Sequence, residues 1–254
     1  MLGLGNSLIR QPPPPTATGF STSSVVLDGT NDYLSIPDNA SINMGTEDYS
    51  ISAWVNLSNA NVSSVNIFEK NTGSSACMLA VSSNDIYLYI ENASHDHYSA
   101  SNAGGRIGSG DAIANNVWSH ILGTFDRDGN ATGYVNGVAI GTIDISVCDG
   151  KSISNSSQAN IGTLGEFSGW ANGNIDDVAI WKGAILSSDD AVSIYNGGKP
   201  NDLTDSGSYT TDRTSELVGY WKFEEGSGTT VADSSSNSNT ATLVNEAAFS
   251  TTVP

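Results

Sequence analysis

The sequence predicts an all-β fold, a sandwich or barrel of antiparallel strands with one short helix. Three observations carry this. From Thr22 to Val244 apolar residues recur almost everywhere with period two, the pattern of strands that bury one face. The polar positions are filled by Gly, Ser, Thr and Asn, and only 14% of residues are charged, which is strand-and-turn chemistry rather than helix chemistry. Turn signals also separate the runs at short intervals. Asn136-Gly137 is the sharpest, because Asn-Gly suits the two positive φ angles of a type I′ hairpin.

Residues 1–21 stand apart from this pattern. MLGLGNSLIR is followed by Pro12-Pro13-Pro14-Pro15. Four prolines form a stiff polyproline II rod of about 3 Å per residue, which cannot enter a sheet interior. The segment reads either as a plain tail or as an anchoring arm whose Leu2, Leu4, Leu8 and Ile9 contact a partner. It has no basic start, long apolar run or small-residue cleavage site, so a secretory signal peptide is not expected.

The strands follow in order. Val25 and Leu27 alternate, then Tyr33–Ile36, and Ile51, Ala53 and Val55 share a face. Val65–Glu69, Cys77–Ser82, Ile86–Glu91, Val117–Phe125, Thr132–Val135, Val138–Ile143, Asn160–Leu164 and Asn174–Trp181 continue the series. The helix is expected over 187–196. Ser187 is its N-cap, Asp189 and Asp190 stand in the first turn, Ala191, Ile194 and Tyr195 form the apolar stripe, and Asn196-Gly197-Gly198 ends it. Residues 199–216 are polar and turn-rich and read as a surface connection, after which Leu217–Phe223 and Thr240–Val244 resume as strands.

Composition excludes several classes. The chain has 254 residues, with 27 acidic and 9 basic side chains, for a net charge of −18. Without a basic cluster, nucleic acid and anionic lipid are poor partners. No apolar run approaches the roughly 18 residues of a membrane helix. Hydrophobic residues make up 38% of the chain, enough in this patterning to fill a core, so the acidity is not that of a disordered tail. Cys77 and Cys148 are the only cysteines and read either as one disulfide or as two separately buried thiols.

Five blocks in order carry a family resemblance: LDGTNDYLSIPD, YSISAWVNL, WSHILGTFD, GYVNG and NIDDVAIWKGAILS. Over about residues 22–195 the chain resembles the laminin G-like, or pentraxin-like, domains of the concanavalin A-like jelly-roll superfamily. The resemblance implies a β-sandwich of two curved antiparallel sheets. The last block, LVGYWKFEEGSGTTVADSSSNSNTATLVN, resembles the segment that normally opens such a domain. Residues 217–254 are too few to bury a sandwich core alone, so a circular permutation is expected, with one domain over 22–254 and the final strands completing it.

Catalysis has little to stand on in this sequence. Glycan hydrolysis within the superfamily needs two carboxylates on one strand, about 5–5.5 Å apart for retention or about 6.5–9.5 Å for inversion. No E-x-D-x-E run occurs, and the adjacent pairs Glu224-Glu225 and Asp176-Asp177 would face opposite sides of a strand. His95-Asp96-His97 reads as a polar hairpin, without a third ligand for a metal. His120, in the WSH block, reads as structural. No enzymatic activity is expected.

Structural Ca²⁺ is the one cofactor the sequence suggests. Ca²⁺ takes 6–8 oxygen ligands. Asp176 falls on what reads as the buried face of its strand and needs a partner, either a metal or backbone amides. The loop Asp233-x-x-x-Asn237-x-Asn239 offers alternating oxygens and resembles a family loop that can hold calcium, with Asp28 and Asp32 nearby in the family fold. The same residues could simply make Asx turns. For ligands, Trp170 and Tyr98 are the leading aromatic candidates, with Tyr87 and Tyr89 behind them. Sugar binding needs such a platform beside amide and carboxylate hydrogen-bonding groups.

The short start, scarcity of Lys and Arg, and the IYNGGKPNDL segment resemble structural proteins of marine bacteriophages, either head-decoration or tail-associated. The expectation is a non-enzymatic virion surface protein. Residues 1–15 would anchor it to a major capsid or tail protein, and its domain would meet host-surface glycans. Homo-oligomerisation is left open. The alternative is a secreted or surface carbohydrate-binding adhesin.

Overall fold

A computed structural model describes residues 21–92, 98–99, 105–165 and 168–254. The strands are, in order, β1 (Ser24–Asp28), β2 (Tyr33–Ile36), β3 (Tyr49–Leu57), β4 (Val65–Asn71), β5 (Ala76–Ser82), β6 (Asp85–Glu91), β7 (Tyr98–Ser99) and β8 (Arg106–Ile107). They continue with β9 (Ser119–Phe125), β10 (Asn130–Val135), β11 (Val138–Asp144), β12 (Ala159–Ile161) and β13 (Asn172–Lys182). The single α-helix among the described residues, α1 (Ser188–Tyr195), comes next, then β14 (Leu217–Trp221), β15 (Thr230–Val231), β16 (Ala241–Val244) and β17 (Ala248–Ser250).

These strands form two antiparallel sheets of eight and nine strands. The first runs β11-β10-β9-β3-β13-β1-β17, with β14 also on β13. The second runs β15-β16-β2-β12-β4-β5-β6-β7, with β8 also on β6. The expected all-β jelly-roll sandwich is therefore observed. The C-terminal block supplies β14 and β17 to the first sheet and β15 and β16 to the second. Its Glu224 carboxylate accepts hydrogen bonds from the Thr22 N–H (2.9 Å) and hydroxyl, which clips the start of the described chain to its last strands.

One core lies between the sheets. Val25, Leu27, Ile51, Ala53, Val55, Leu79, Leu88, Ile121, Ile175, Val178 and Trp221 are buried in it. Period-two alternation places them there. It fails at one point in β13, where the register against β3 shifts between Asp176 and Ala179 and Asp177 adopts φ +47°. This bulge moves the alternation by one residue, so Ile175, Val178 and Ile180 all join the same core. Strict alternation had put Ile175 on the other face from Val178 and Ile180.

A second apolar cluster covers the outer face of the first sheet. Trp181, Tyr220, Leu122 and Tyr134 of the sheet pack against Ala191 and Ile194 of α1 and against Leu203 and Tyr209. Each buried Leu or Ile among them gains roughly 1.5–3 kcal/mol from burial. The segment 199–216 is thus the expected turn-rich surface connection, and it also covers the sheet through Leu203 and Tyr209. The Tyr209 hydroxyl accepts from Trp181 Nε1 at 3.2 Å and donates to the Leu203 carbonyl at 2.7 Å.

Other local expectations hold in detail. Ser187 caps α1 in a capping box with Asp190, and Asn196 ends it in the left-handed region. Asn136 and Gly137 both have positive φ. Four strands end short of the expected bounds, β16 by Thr240 alone. Val117 is exposed outside β9, Gly162 at φ +91° stops β12, and Phe223 at φ +58° lies beyond β14. Cys77 and Cys148 are both buried and no disulfide joins them, and burial pushes the Cys77 thiol up to about 12.

Candidate functional site

The outer face of the second sheet carries the candidate site. In β5 and β6 the residues Cys77, Leu79, Val81, Ile86, Leu88 and Ile90 point into the core. Alternation therefore turns Met78, Ser82, Tyr87, Tyr89 and Glu91 to the opposite face. There they line a groove of about 540 Å³, together with Ser63, Ser64, Asn71 and Leu164. The turn between the two strands is Ser83-Asn84, both at positive φ. That hairpin lacks the Asn-Gly signal and is formed by Ser and Asn in left-handed backbone.

Aromatic and carboxylate groups are arranged in a row along β6. The Tyr87 and Tyr89 rings lie 6.4 Å apart, 19° from parallel. The Tyr89 hydroxyl donates to Glu91 Oε2 at 2.7 Å. Burial first, and then Glu91, push that hydroxyl above the usual tyrosine range, so it stays protonated. Tyr87 is backed by Gly105, at φ +93°, where an added Cβ would come within 2.6 Å of the ring. A glycine is needed there both for the backbone and for the ring.

One wall of the groove is built at Leu164, where the arms Leu164-Gly165 and Ser168-Gly169 run antiparallel. Leu164 N–H donates to the Ser168 carbonyl at 2.8 Å, and the Gly169 carbonyl accepts from Asn66 N–H at 3.0 Å. Below it, a bulge in β4 puts both Ile67 and Phe68 in the core and leaves Asn66 and Glu69 on the groove face. Glu69, buried at 1% exposure, accepts at Oε1 from Gly165 N–H and from Asn160 Nδ2, the latter at 3.1 Å. A buried carboxylate therefore holds the wall in place. Ser64, on the groove, donates to Asn66 Oδ1 at 3.0 Å.

The expected ligand residues fall differently. Trp170 follows the wall hairpin, half-buried, with its ring 6.0 Å from Tyr33; it is not among the groove's lining residues. Tyr98 sits on β7 in register with Ile90, while Ser99 pairs with Tyr89; the Tyr98 side chain lies outside the described residues. Among the described residues, Tyr87 and Tyr89 are the aromatics that reach the groove. The arm residues Leu2, Leu4, Leu8 and Ile9, and the run His95-Asp96-His97, also lie outside the described residues. His120 is buried beside Trp54, and burial pulls its pKa down to about 3.

The residues proposed for calcium are engaged by hydrogen-bond donors. Asp233 accepts four hydrogen bonds, from Tyr220 N–H (2.9 Å), Ser235 N–H (2.8 Å), Ser235 Oγ (2.9 Å) and Asn239 N–H (2.8 Å). Asn237 and Asn239 both donate through Nδ2 to the Val218 carbonyl. Asp28 closes an Asx turn onto Thr30 N–H, and Asp32 accepts from Asp28 and Glu246 N–H. Asp176 is fully buried, accepting from the Ser21 hydroxyl at 2.7 Å and from Asp177 N–H at 2.9 Å. Among the described residues no three His, Cys, Asp or Glu side chains are gathered to hold a metal ion. The oxygens expected to bind Ca²⁺ face N–H and O–H donors, so this donor set does not fit the ion.

Comparison with known proteins places the fold. No curated protein matches the sequence. A candidate carbohydrate-binding protein of Bacteroides ovatus superposes with a TM-score of 0.62 at 16% identity, over 91% of this chain and 60% of that one. The chain thus spans 60% of the length of that protein. A heptameric pentraxin of Limulus polyphemus gives 0.53 at 17% identity, over 73% of this chain and 88% of that one. The CBM40 domain of a Ruminococcus gnavus sialidase, bound to α2,3-sialyllactose, gives 0.53 at 14% identity, over 68% and 95%. Residues 28–191 match the Laminin_G_3 family model, and the chain accordingly belongs to that family, described as the concanavalin A-like lectin/glucanases superfamily.

Proposed function

We propose that the chain is a non-enzymatic carbohydrate-binding module and that the groove over β5 and β6 is its binding site. One observation carries the reading. The row Tyr87-x-Tyr89-x-Glu91 presents two aromatic rings and a carboxylate beside the hydroxyls of Ser63, Ser64 and Ser82 and the amide of Asn71. Aromatic rings give apolar area to the C–H faces of a sugar, and hydroxyl, amide and carboxylate groups match its hydroxyls. The shared fold with proteins named for carbohydrate binding supports the same reading. A glycan array probed with the wild type and with Tyr87→Ala and Tyr89→Ala tests it. Expected is a loss of at least roughly tenfold in affinity, the size of a lost aromatic contact, with little change in melting temperature. Undiminished binding by both variants would place the site elsewhere.

For the setting of this module we keep virion display through residues 1–15, which the four prolines and the apolar residues Leu2, Leu4, Leu8 and Ile9 support. Deleting residues 1–15 should abolish co-purification with the particle while leaving the sandwich melt unchanged. Retained attachment would leave the adhesin reading.

A further inference from the structure

The charge of the groove bears on which sugars it accepts. Of the nine described residues that line it, one is charged, the carboxylate of Glu91. None of the described lysines and arginines lines it. The cations next to it in the fold are directed elsewhere. Arg106, the register partner of Tyr87, places Nη1 3.5 Å from the buried Asp85 carboxylate. Lys70, which adjoins Asn71 in β4, bonds Asp38 at 2.7 Å and the Ser157 carbonyl. The segments 93–97, 100–104 and 166–167 lie outside the described residues; by sequence they contain no Lys or Arg, and hold His95, Asp96, His97 and Glu166. The chain as a whole carries −18.

We propose that the groove selects uncharged glycans and turns away sugars that bear carboxylate or sulfate groups; this deepens the carbohydrate-binding reading and rests on it. An anionic group entering the groove gives up hydration and meets no lysine or arginine among the described lining residues to replace it. It also meets Glu91 and the field of an acidic protein, a repulsive element of the kind that sets specificity. Recognition of such groups ordinarily uses an arginine fork. A neutral pyranose has none of these costs. Its hydroxyls find serine hydroxyls that both donate and accept, the Asn71 amide, and Glu91 as acceptor. The fold alone does not decide this, because a domain of the same fold has been seen with sialyllactose.

The test is a glycan array holding neutral, sialylated, uronate and sulfated glycans, read with the wild type and with the Tyr87→Ala and Tyr89→Ala variants. The neutral polysaccharide bound best is then compared with its own carboxymethylated form by calorimetry at low and high salt. Expected is capture of neutral glycans, with the carboxymethylated form roughly tenfold weaker or worse at low salt. The gap should narrow at high salt, as screening requires. Glu91→Gln, which keeps an acceptor for Tyr89, should narrow it too. Sialylated, uronate or sulfated glycans bound as tightly, through Tyr87 and Tyr89, would overturn the selectivity and leave the site standing. Capture of no glycan, or capture unchanged in both tyrosine variants, would overturn the carbohydrate reading and the selectivity with it.

Discussion

The hydroxyl of Tyr220 lies against the carboxylate of Asp177, both buried, where β13 breaks its regular course beside β14. The same hydroxyl is 3.1 Å from the Asn201 carbonyl. With one proton it can donate to only one of them. A protonated Asp177 resolves this, giving its proton to Tyr220 while Tyr220 donates to Asn201. Burial, with Glu224 adding to it, pushes the Asp177 carboxyl up to about 8 against the pull of Tyr220. Burial and then Asp177 hold Asp176 well above the carboxylate range as well.

This makes stability depend on pH in a definite direction. Asp177 has a folded pKa raised from 3.8 to about 8. Its contribution is full below the unfolded value and is lost as pH rises towards 8. Melting temperature should therefore fall between pH 5 and about 8.5, and Asp177→Asn should flatten that slope and raise the melting temperature at pH 8. One kcal/mol corresponds to roughly 2–4 °C in a chain of this size. Asp38, held low chiefly by the Lys70 hydrogen bond, works in the opposite sense, its contribution fading as pH falls below the ordinary carboxylate range. Thermal melts across pH check both, and a wild-type melting temperature that rises from pH 5 to 8.5 would contradict the assignment.

Asp233 organises the C-terminal loop through four hydrogen bonds. Its two oxygens serve Tyr220, Ser235 and Asn239. Asp233→Ala strands those N–H groups, at about 1–3 kcal/mol for each one left buried and unpaired. The melting temperature should drop by several degrees, whereas a chelator should leave the wild type unmoved. A chelator-induced loss comparable to that of the variant would show a bound ion.

Glu69 is expected to act on binding through the wall rather than on the sugar. Glu69→Ala removes the acceptor that holds Gly165, next to Leu164 of the groove wall, and Asn160 of β12 and should weaken glycan affinity severalfold while costing about 1–3 kcal/mol of stability. Glu69→Gln keeps an acceptor and should recover most of the affinity. Calorimetry on the pair distinguishes this from a purely structural loss, which would lower stability and leave affinity alone.

Much of this could be read from the residues themselves. Alternation located the strands and the sandwich, and Ser187, Asp190 and Asn196 marked the helix ends. Bulges escaped it, because an inserted residue, as at Asp177 or between Asn66 and Phe68, shifts the phase without changing the composition. The cover formed by 199–216 was hidden because Leu203 and Tyr209 are isolated apolar residues in a polar stretch, with no period to reveal them. The groove was legible in part. Tyr87, Tyr89 and Glu91 alternate with Ile86, Leu88 and Ile90, which announces one polar-aromatic face. Trp170 drew more weight as a lone loop aromatic, but its ring packs towards Tyr33. Only pairing across strands shows which aromatic shares a face with Ser63, Asn71 and Met78.

The most direct measurement is a co-crystal structure with the neutral oligosaccharide bound best on the array. The account predicts a sugar ring against Tyr87 or Tyr89, with its hydroxyls bonded to Glu91, Asn71 or the groove serines. A sugar seated against Trp170 and Tyr33, or on the first sheet beside α1, would contradict it.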